Sequence, residues 1–260
     1  MARHKRPGPG PAFAGFDAVL FDLDNTLVDF VEWKTACTNA AIRAMMEAGL
    51  RGRFGLLKKR MLALYDEAGW ENQRVFDLFL RQVQGKVDER VLACGVAAYR
   101  KTKAAAMKPY PMTVETLLEL HRRGLKLGIV SDAPRRQAWL RLAELNLVPF
   151  FDVVVALDDT GRKKPDGAPF AKAIERLGVP AEKILFVGDI PDCDILGASR
   201  AGMRTALAAY GQFRKGESPS DFTLTRISDL VRVIDRAKKG VLATGKKNPA
   251  GSAGRGGKRR

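Results

Sequence analysis

Two aspartates one residue apart, Asp22 and Asp24, close a short apolar run in LFDLDNTLVDF. Alternate residues of an extended chain point to the same side, so these carboxylates repel unless a cation or a shared proton lies between them. Other polar residues recur where apolar runs end: Ser131 and Asp132 after LGIV, Asp158 and Asp159 just beyond VVVA, and Asp189 after ILFVG. Lys164 stands in RKKPDGAPF, and Asp194 follows Asp189 in GDIPDCDILG. Carboxylates in such a group can act as nucleophiles, as proton carriers and as ligands of hard cations. Histidine is scarce: His4 sits in a basic start, and His121 closes a helical pattern beside Arg122 and Arg123. The latter reads as a helix-end cation, so acid–base chemistry falls to the carboxylates.

The elements that must hold these residues follow from the hydropathy pattern. Apolar, strand-like runs occur at 18–21, 125–130, 151–156, 184–187 and 205–209, and helical patterns at 135–145, 168–177 and 194–201 separate the last four. Strands alternating with helices imply right-handed crossovers and a parallel sheet covered on both faces. This is a doubly wound α/β core, whose ligand crevice lies at the carboxyl ends of the strands. Residues 30–108 break the rhythm with apolar residues at helical spacing, as in TACTNAAIRAMMEAGL and RVFDLFLRQVQG. They read as a helical domain inserted into a core of residues 16–29 and 109–237, with Pro109 and Pro111 marking the return before a helix at 113–123. The aromatic and Met positions of the insertion read as its own core. A last short run and a helix capped at Ser228 or Asp229 end the core.

A chain of 260 residues, 46% hydrophobic and 28% charged, suits a soluble globular protein of one large domain or a core with an insertion. No apolar run approaches the roughly 20 residues of a membrane span. The start, MARHKRPGPGPAFAGF, lacks the apolar stretch of a secretory leader, so the expectation is a cytoplasmic protein without membrane attachment. Cys37, Cys94 and Cys193 form no C-x-x-C pair and read as small buried apolar residues. The net charge is +16, but eleven of the 45 basic residues lie in 1–6 and 238–260, leaving 34 against 29 acids in the body. The Gly- and Lys-rich tail 238–260 reads as disordered, able to touch nucleic acid nonspecifically. GVLATGKK at 240–247 imitates a phosphate-binding loop but ends in Lys247 and follows no strand.

DLDNTL, Ser131 after its strand, Lys164 in KKPDGAPF and GDIPDCDILGASRAGM, in that order over residues 18–203, together resemble the haloacid dehalogenase superfamily of hydrolases. The helical insertion lies where that family places its type C1 cap. NAAIRAMMEAGL, AAYRKTKAAAMKPYP and DILGASRAGMRT are similar to an archaeal-type phosphatase branch, some members of which are described as glyceraldehyde-3-phosphate phosphatases.

The resemblance implies a Mg²⁺-dependent phosphomonoester hydrolase that acts on a small phosphorylated metabolite, glyceraldehyde 3-phosphate or a related sugar phosphate, through an aspartyl-phosphate. Asp22 would be the nucleophile, and Asp24 would protonate the departing alcohol and then take a proton from the hydrolytic water. The metal would be held by the Asp22 and Asp189 carboxylates and the Asp24 backbone carbonyl, with Asp194 bound directly or through water. Ser131 and backbone N–H groups after Asp22 would bind the phosphoryl group, and Lys164 would neutralise charge. Each residue has a plainer reading: Ser131 and Asp132 as helix caps, Asp194 as a helix-start carboxylate, Lys164 as part of a solvated basic run, Asp158 and Asp159 as solvated loop acids. Two alternatives stand beside the phosphatase: a metal-independent 2-haloacid dehalogenase, and a hydrolase-like scaffold that binds nucleic acid through its basic tails.

Overall fold

Strands buried on both faces must be apolar along their whole length, and the runs at the head of the candidate motifs are. In a computed structural model, which describes residues 15–240, β1 (Ala18–Phe21) has every residue buried. After it come α1 (Phe30–Glu47), α2 (Phe54–Ala68), α3 (Val75–Gln84), α4 (Glu89–Ala106) and α5 (Thr113–Arg122). The chain continues through β2 (Lys126–Val130), α6 (Arg135–Glu144), β3 (Val153–Val155), α7 (Leu157–Thr160), α8 (Gly167–Leu177) and β4 (Ile184–Gly188). It ends with α9 (Leu196–Arg200), β5 (Arg204–Ala208), β6 (Phe222–Leu224) and α10 (Asp229–Lys238). The basic stretches 1–14 and 241–260, and with them the imitation phosphate loop beyond Gly240, lie outside the described residues.

The strands form one parallel sheet in the order β3-β2-β1-β4-β5-β6. Strand order reverses between β1 and β4, and a crevice opens there at the carboxyl ends. Alternation sends Val19 and Phe21 to one face, where they pack with Leu117 and Leu120 of α5, Leu142 of α6 and Ile234 of α10. Ala18 and Leu20 go to the other, against Phe170 and Leu177 of α8 and Ala198 of α9.

Helices α1–α4 enclose a separate apolar cluster that includes Ile42, Met45, Met61, Tyr65, Phe79 and Leu80. The two ends of this segment meet: Val28 bridges Pro109, and the Tyr110 N–H donates to Leu27 O at 3.0 Å. Asn25, with φ of 59°, makes the tight turn that returns the chain after Asp24, and its N–H donates to Val28 O at 2.7 Å. Asparagine tolerates that left-handed conformation better than most residues.

Several expectations need correction. The run 151–156 yields only the three residues of β3, because a 3₁₀ turn (Val148–Phe150) precedes it and α7 follows. Asp158 and Asp159 therefore lie in a helical turn instead of a loop, and of the two only Asp158 is solvent-exposed. Asp159, 5% exposed at its side chain, pairs with Arg135 at 3.0 Å and Arg176 at 2.6 Å, while Asp158 accepts from the Arg135 N–H. The pattern 194–201 is not one α-helix, since Pro191–Ile195 winds as a wider π turn before α9. Ser228 gives α10 no side-chain cap; the Asp229 carboxylate instead accepts from the Thr225 and Arg226 N–H groups. Of the cysteines Cys37 is buried, Cys193 half-buried and Cys94 exposed. Among the described residues no helix is long and apolar enough to cross a membrane.

Candidate active site

The carboxyl ends of β1, β2 and β4, with the segment before α8, bring Asp22, Asp24, Ser131, Lys164, Asp189 and Asp194 to one cavity of about 260 Å³. All six expected site residues line it. Asp22 follows β1 directly and its N–H donates to Val187 O at 2.8 Å, so the strand itself fixes its place. Ser131 follows β2, is buried, and accepts at Oγ from the Ala133 N–H at 3.2 Å. Pro134, not Ser131 or Asp132, precedes the first turn of α6, and the carboxylate that accepts from the first N–H of that helix is Asp158. Asp132 instead accepts from the backbone N–H of Lys164 at 2.9 Å and so anchors the loop that carries the lysine.

Lys164 is 6% exposed, which sets it apart from the solvated run it belongs to. Its Nζ lies 2.5 Å from Asp22 Oδ1, 2.7 Å from Asp194 Oδ1 and 3.0 Å from Val130 O. Desolvation alone would lower its pKa, but Asp194 and Asp22 outweigh that and hold the ammonium well above the ordinary lysine value. Asp194 is positioned by the π turn, where its Oδ2 accepts from the Ile190 N–H at 2.9 Å. Gly188 makes room for it: a Cβ there would stand 2.5 Å from Asp194 Cβ.

Asp22, Asp189 and Asp194 are all buried and offer oxygens that lie within 4.8 Å of one another. At an effective dielectric of about 20, two like charges about 4 Å apart repel by about 4 kcal/mol. One lysine against three carboxylates leaves two negative charges uncompensated. Burial is the largest cause that raises Asp22, followed by opposition from Lys164 and reinforcement from Asp194. Asp189 is raised to about 7, first by burial and then by Asp194. Both Asp189 carboxylate oxygens are buried without a hydrogen-bond partner; the Phe213 N–H that faces them lowers the pKa somewhat but forms no well-aligned bond. Two excess charges and an unpartnered pair of hard oxygens fit a divalent, oxygen-seeking cation.

Asp24 is outside that cluster. Its Oδ2 lies 3.0 Å from Nη1 of Arg141 on α6, and its Oδ1 is buried without a partner. The repulsion expected between Asp22 and Asp24 is thus relieved by two different cations, Lys164 for one and Arg141 for the other. Burial raises Asp24 above the usual carboxylate range, Arg141 opposes this, and Glu71 adds to it. Glu71, in the link between α2 and α3, pairs with the same guanidinium. Trp70, Glu71 and Phe30 line the cavity from the α1–α4 side, and Phe213 and Arg214 from the segment between β5 and β6. None of these was singled out by motif, and Arg141 carries no local sequence signal in RRQAWLRLAE.

A sequence profile described as haloacid dehalogenase-like hydrolase matches residues 16–202. A glyceraldehyde 3-phosphate phosphatase of Methanopyrus kandleri is 36% identical over 85% of this chain and 98% of its own length. A phosphoglycolate phosphatase of Aquifex aeolicus is 35% identical over 84% of this chain and 96% of its own. Among solved structures, a phosphatase of the same superfamily from Thermococcus onnurineus superposes with a TM-score of 0.61 at 26% identity, over 84% of this chain and 97% of that one.

Proposed function

The chain belongs to the haloacid dehalogenase-like hydrolases and is a phosphatase among them, and on that premise we propose that it is a Mg²⁺-dependent phosphomonoesterase that works through an aspartyl-phosphate on Asp22. The observation that carries this reading is the buried trio Asp22, Asp189 and Asp194 with Lys164 as its counter-cation. A metal-free dehalogenase would have to keep two uncompensated negative charges in that site or neutralise them with protons. Asp22, Asp189, Asp194 and the Asp24 backbone carbonyl would hold the Mg²⁺, which supplies positive charge so that an anionic ester can approach an anionic nucleophile.

The residues of the chain divide the remaining work. Ser131 Oγ donates to a phosphoryl oxygen and Lys164 neutralises charge beside Asp22, which attacks phosphorus. The ester P–O bond breaks as Asp24, carrying a proton, gives it to the departing alkoxide. Burial of Asp24 raises its pKa, the direction a proton donor requires. Asp24, now ionised, takes a proton from the water that attacks the aspartyl-phosphate. The P–O bond to Asp22 breaks, phosphate leaves, and both aspartates return to their first states.

Helices α1–α4 serve in this reading as the cap that closes over the leaving group, with Trp70, Glu71 and Phe30 at its contact surface. The substrate is a small phosphorylated metabolite, in keeping with a cavity of about 260 Å³, and glyceraldehyde 3-phosphate or a related sugar phosphate is the first candidate. Purified protein is expected to hydrolyse p-nitrophenyl phosphate with Mg²⁺, to stop with EDTA and to recover when Mg²⁺ is restored. Activity that survives exhaustive chelation would remove the metal from the account. A screen of glyceraldehyde 3-phosphate, phosphoglycolate and other sugar phosphates then ranks substrates by kcat/KM.

Gly188→Ala offers a narrower check. The added methyl collides with Asp194 Cβ, Cγ and Oδ2 at 2.5–2.7 Å, so the carboxylate must shift. The Mg²⁺ concentration for half-maximal activity is expected to rise about 10–100-fold, as for lost ligand positioning elsewhere.

A further inference from the structure

We propose that Arg141 is the positioning residue of the Asp24 carboxyl, and that through Glu71 it makes this position depend on how α1–α4 seat against the core. The proposal rests on the reading of Asp24 as proton carrier, and it concerns geometry, not titration.

A guanidinium 2% exposed, on a helix whose neighbouring positions Ala138 and Leu142 are apolar and buried, calls for a reason. Burying an unpaired charge costs several kcal/mol, and a leucine would pack there without that cost. Arg141 is compensated by groups from separate parts of the chain. Its Nη1 meets Asp24 Oδ2 at 3.0 Å, its Nη2 pairs with Glu71 Oε1, and its guanidinium carbon lies 4.7 Å from the centroid of Phe30 and 5.9 Å from that of Trp33. Asp24 belongs to the core, whereas Phe30, Trp33 and Glu71 belong to the α1–α4 segment. The planar, multidentate guanidinium can hold partners on two sides at once, which a lysine ammonium does less well.

Oδ2 of Asp24 is ion-paired with Arg141 Nη1, which makes no aligned hydrogen bond, while Oδ1 is buried without a partner in a residue that lines the cavity. A carboxyl tethered through one oxygen to a buried guanidinium is held at the cavity wall before an ester arrives, which is what a positioning contact supplies. A second tie one turn along α6 points the same way: Glu144 Oε1 pairs with Lys103 Nζ of α4 at 3.0 Å. Residues three apart share a helix face, so this face of α6 is a seat for the helical segment, and Arg141 is the contact on it that also reaches Asp24. Closure of the segment therefore completes the cage around the Asp24 carboxyl. A segment that swings away takes Glu71 with it and leaves Arg141 half-paired.

The test compares leaving groups. p-Nitrophenolate departs with little need of a proton, whereas an alkoxide needs one; kcat/KM reports the step that phosphorylates Asp22 in both cases. The second substrate is the alkyl phosphate that the screen above ranks best. Arg141→Lys and Glu71→Gln are each expected to lower kcat/KM for the alkyl ester at least about tenfold more than for p-nitrophenyl phosphate, within the 10²–10⁴-fold that general acid catalysis contributes. In an Asp24→Asn background neither substitution should widen the gap further. Glu71→Gln, at a partly exposed side chain, keeps the test open if the Arg141 variant folds poorly. Equal losses on the two substrates, or a discrimination that grows further in the Asp24→Asn background, would overturn the proposal. A wild-type protein that hydrolyses neither ester would instead overturn the phosphatase reading.

Discussion

Asp22→Asn is expected to lower turnover of any phosphate ester by about 10⁴-fold or more, the scale at which loss of a nucleophile usually appears, while leaving the fold intact. The amide has nearly the shape of the carboxylate and keeps the Asp22 backbone bond to Val187. Lys164 does not lose its charge compensation, because Asp194 Oδ1 remains 2.7 Å from its ammonium. Removal of one carboxylate from a buried group of three also relieves repulsion from Asp194 and Asp189, both of which raise Asp22. The variant should therefore melt no lower than the parent in the absence of metal. Near-normal turnover in a folded variant would sink the nucleophile assignment; a large fall in melting temperature would contradict the electrostatic description.

Lys164→Met should damage both activity and stability. It removes the ammonium that holds Asp22 and Asp194 together and leaves buried carboxylates with no nearby cation. Breaking a buried pair from one side costs about 3–5 kcal/mol, equivalent to a melting temperature roughly 6–20 °C lower for a chain of this size. Mg²⁺ should recover more of that loss than it adds to the wild-type protein, since a ligand stabilises the state it binds. Turnover should fall about 10²–10³-fold, as when a charge-stabilising donor is removed from a transition state. The pH dependence has a definite sign. Asp189 is raised from 3.8 to about 7 in the folded protein, so between those values the folded state holds a proton that the unfolded state has lost. Stability without metal must then fall as pH rises through that interval, more steeply in Lys164→Met. Thermal melts at several pH values, with and without Mg²⁺, measure all of this.

Much of the architecture was legible because parallel strands covered on both faces are apolar throughout. Residues 18–21 and 184–187 could hardly be anything else. The motif residues were legible because each ends such a strand or follows it at short range, and backbone register then fixes where it stands. Arg141 was not legible. Arg135, Arg136 and Arg141 look alike along α6, and burial is decided by Asp24 and by Glu71, the latter 70 residues away along the chain. The π turn at 191–195 escaped for a related reason: no residue preference announces it, and it exists around the Asp194 carboxylate bound to the Ile190 N–H. Asp159 was misjudged because its partners Arg135 and Arg176 come from two other helices. Local pattern reports strands and strand ends; long-range charge pairing it does not report.

The covalent intermediate is the centre of the account, and it can be observed. Protein turning over p-nitrophenyl phosphate with Mg²⁺ is quenched in acid within one turnover, digested, and its peptides are weighed by mass spectrometry. The account predicts one phosphoryl group on the peptide containing Asp22, labile in base and absent from Asp22→Asn. A phosphoryl group on another residue, or product formed in a single turnover with Asp22 never modified, would contradict it.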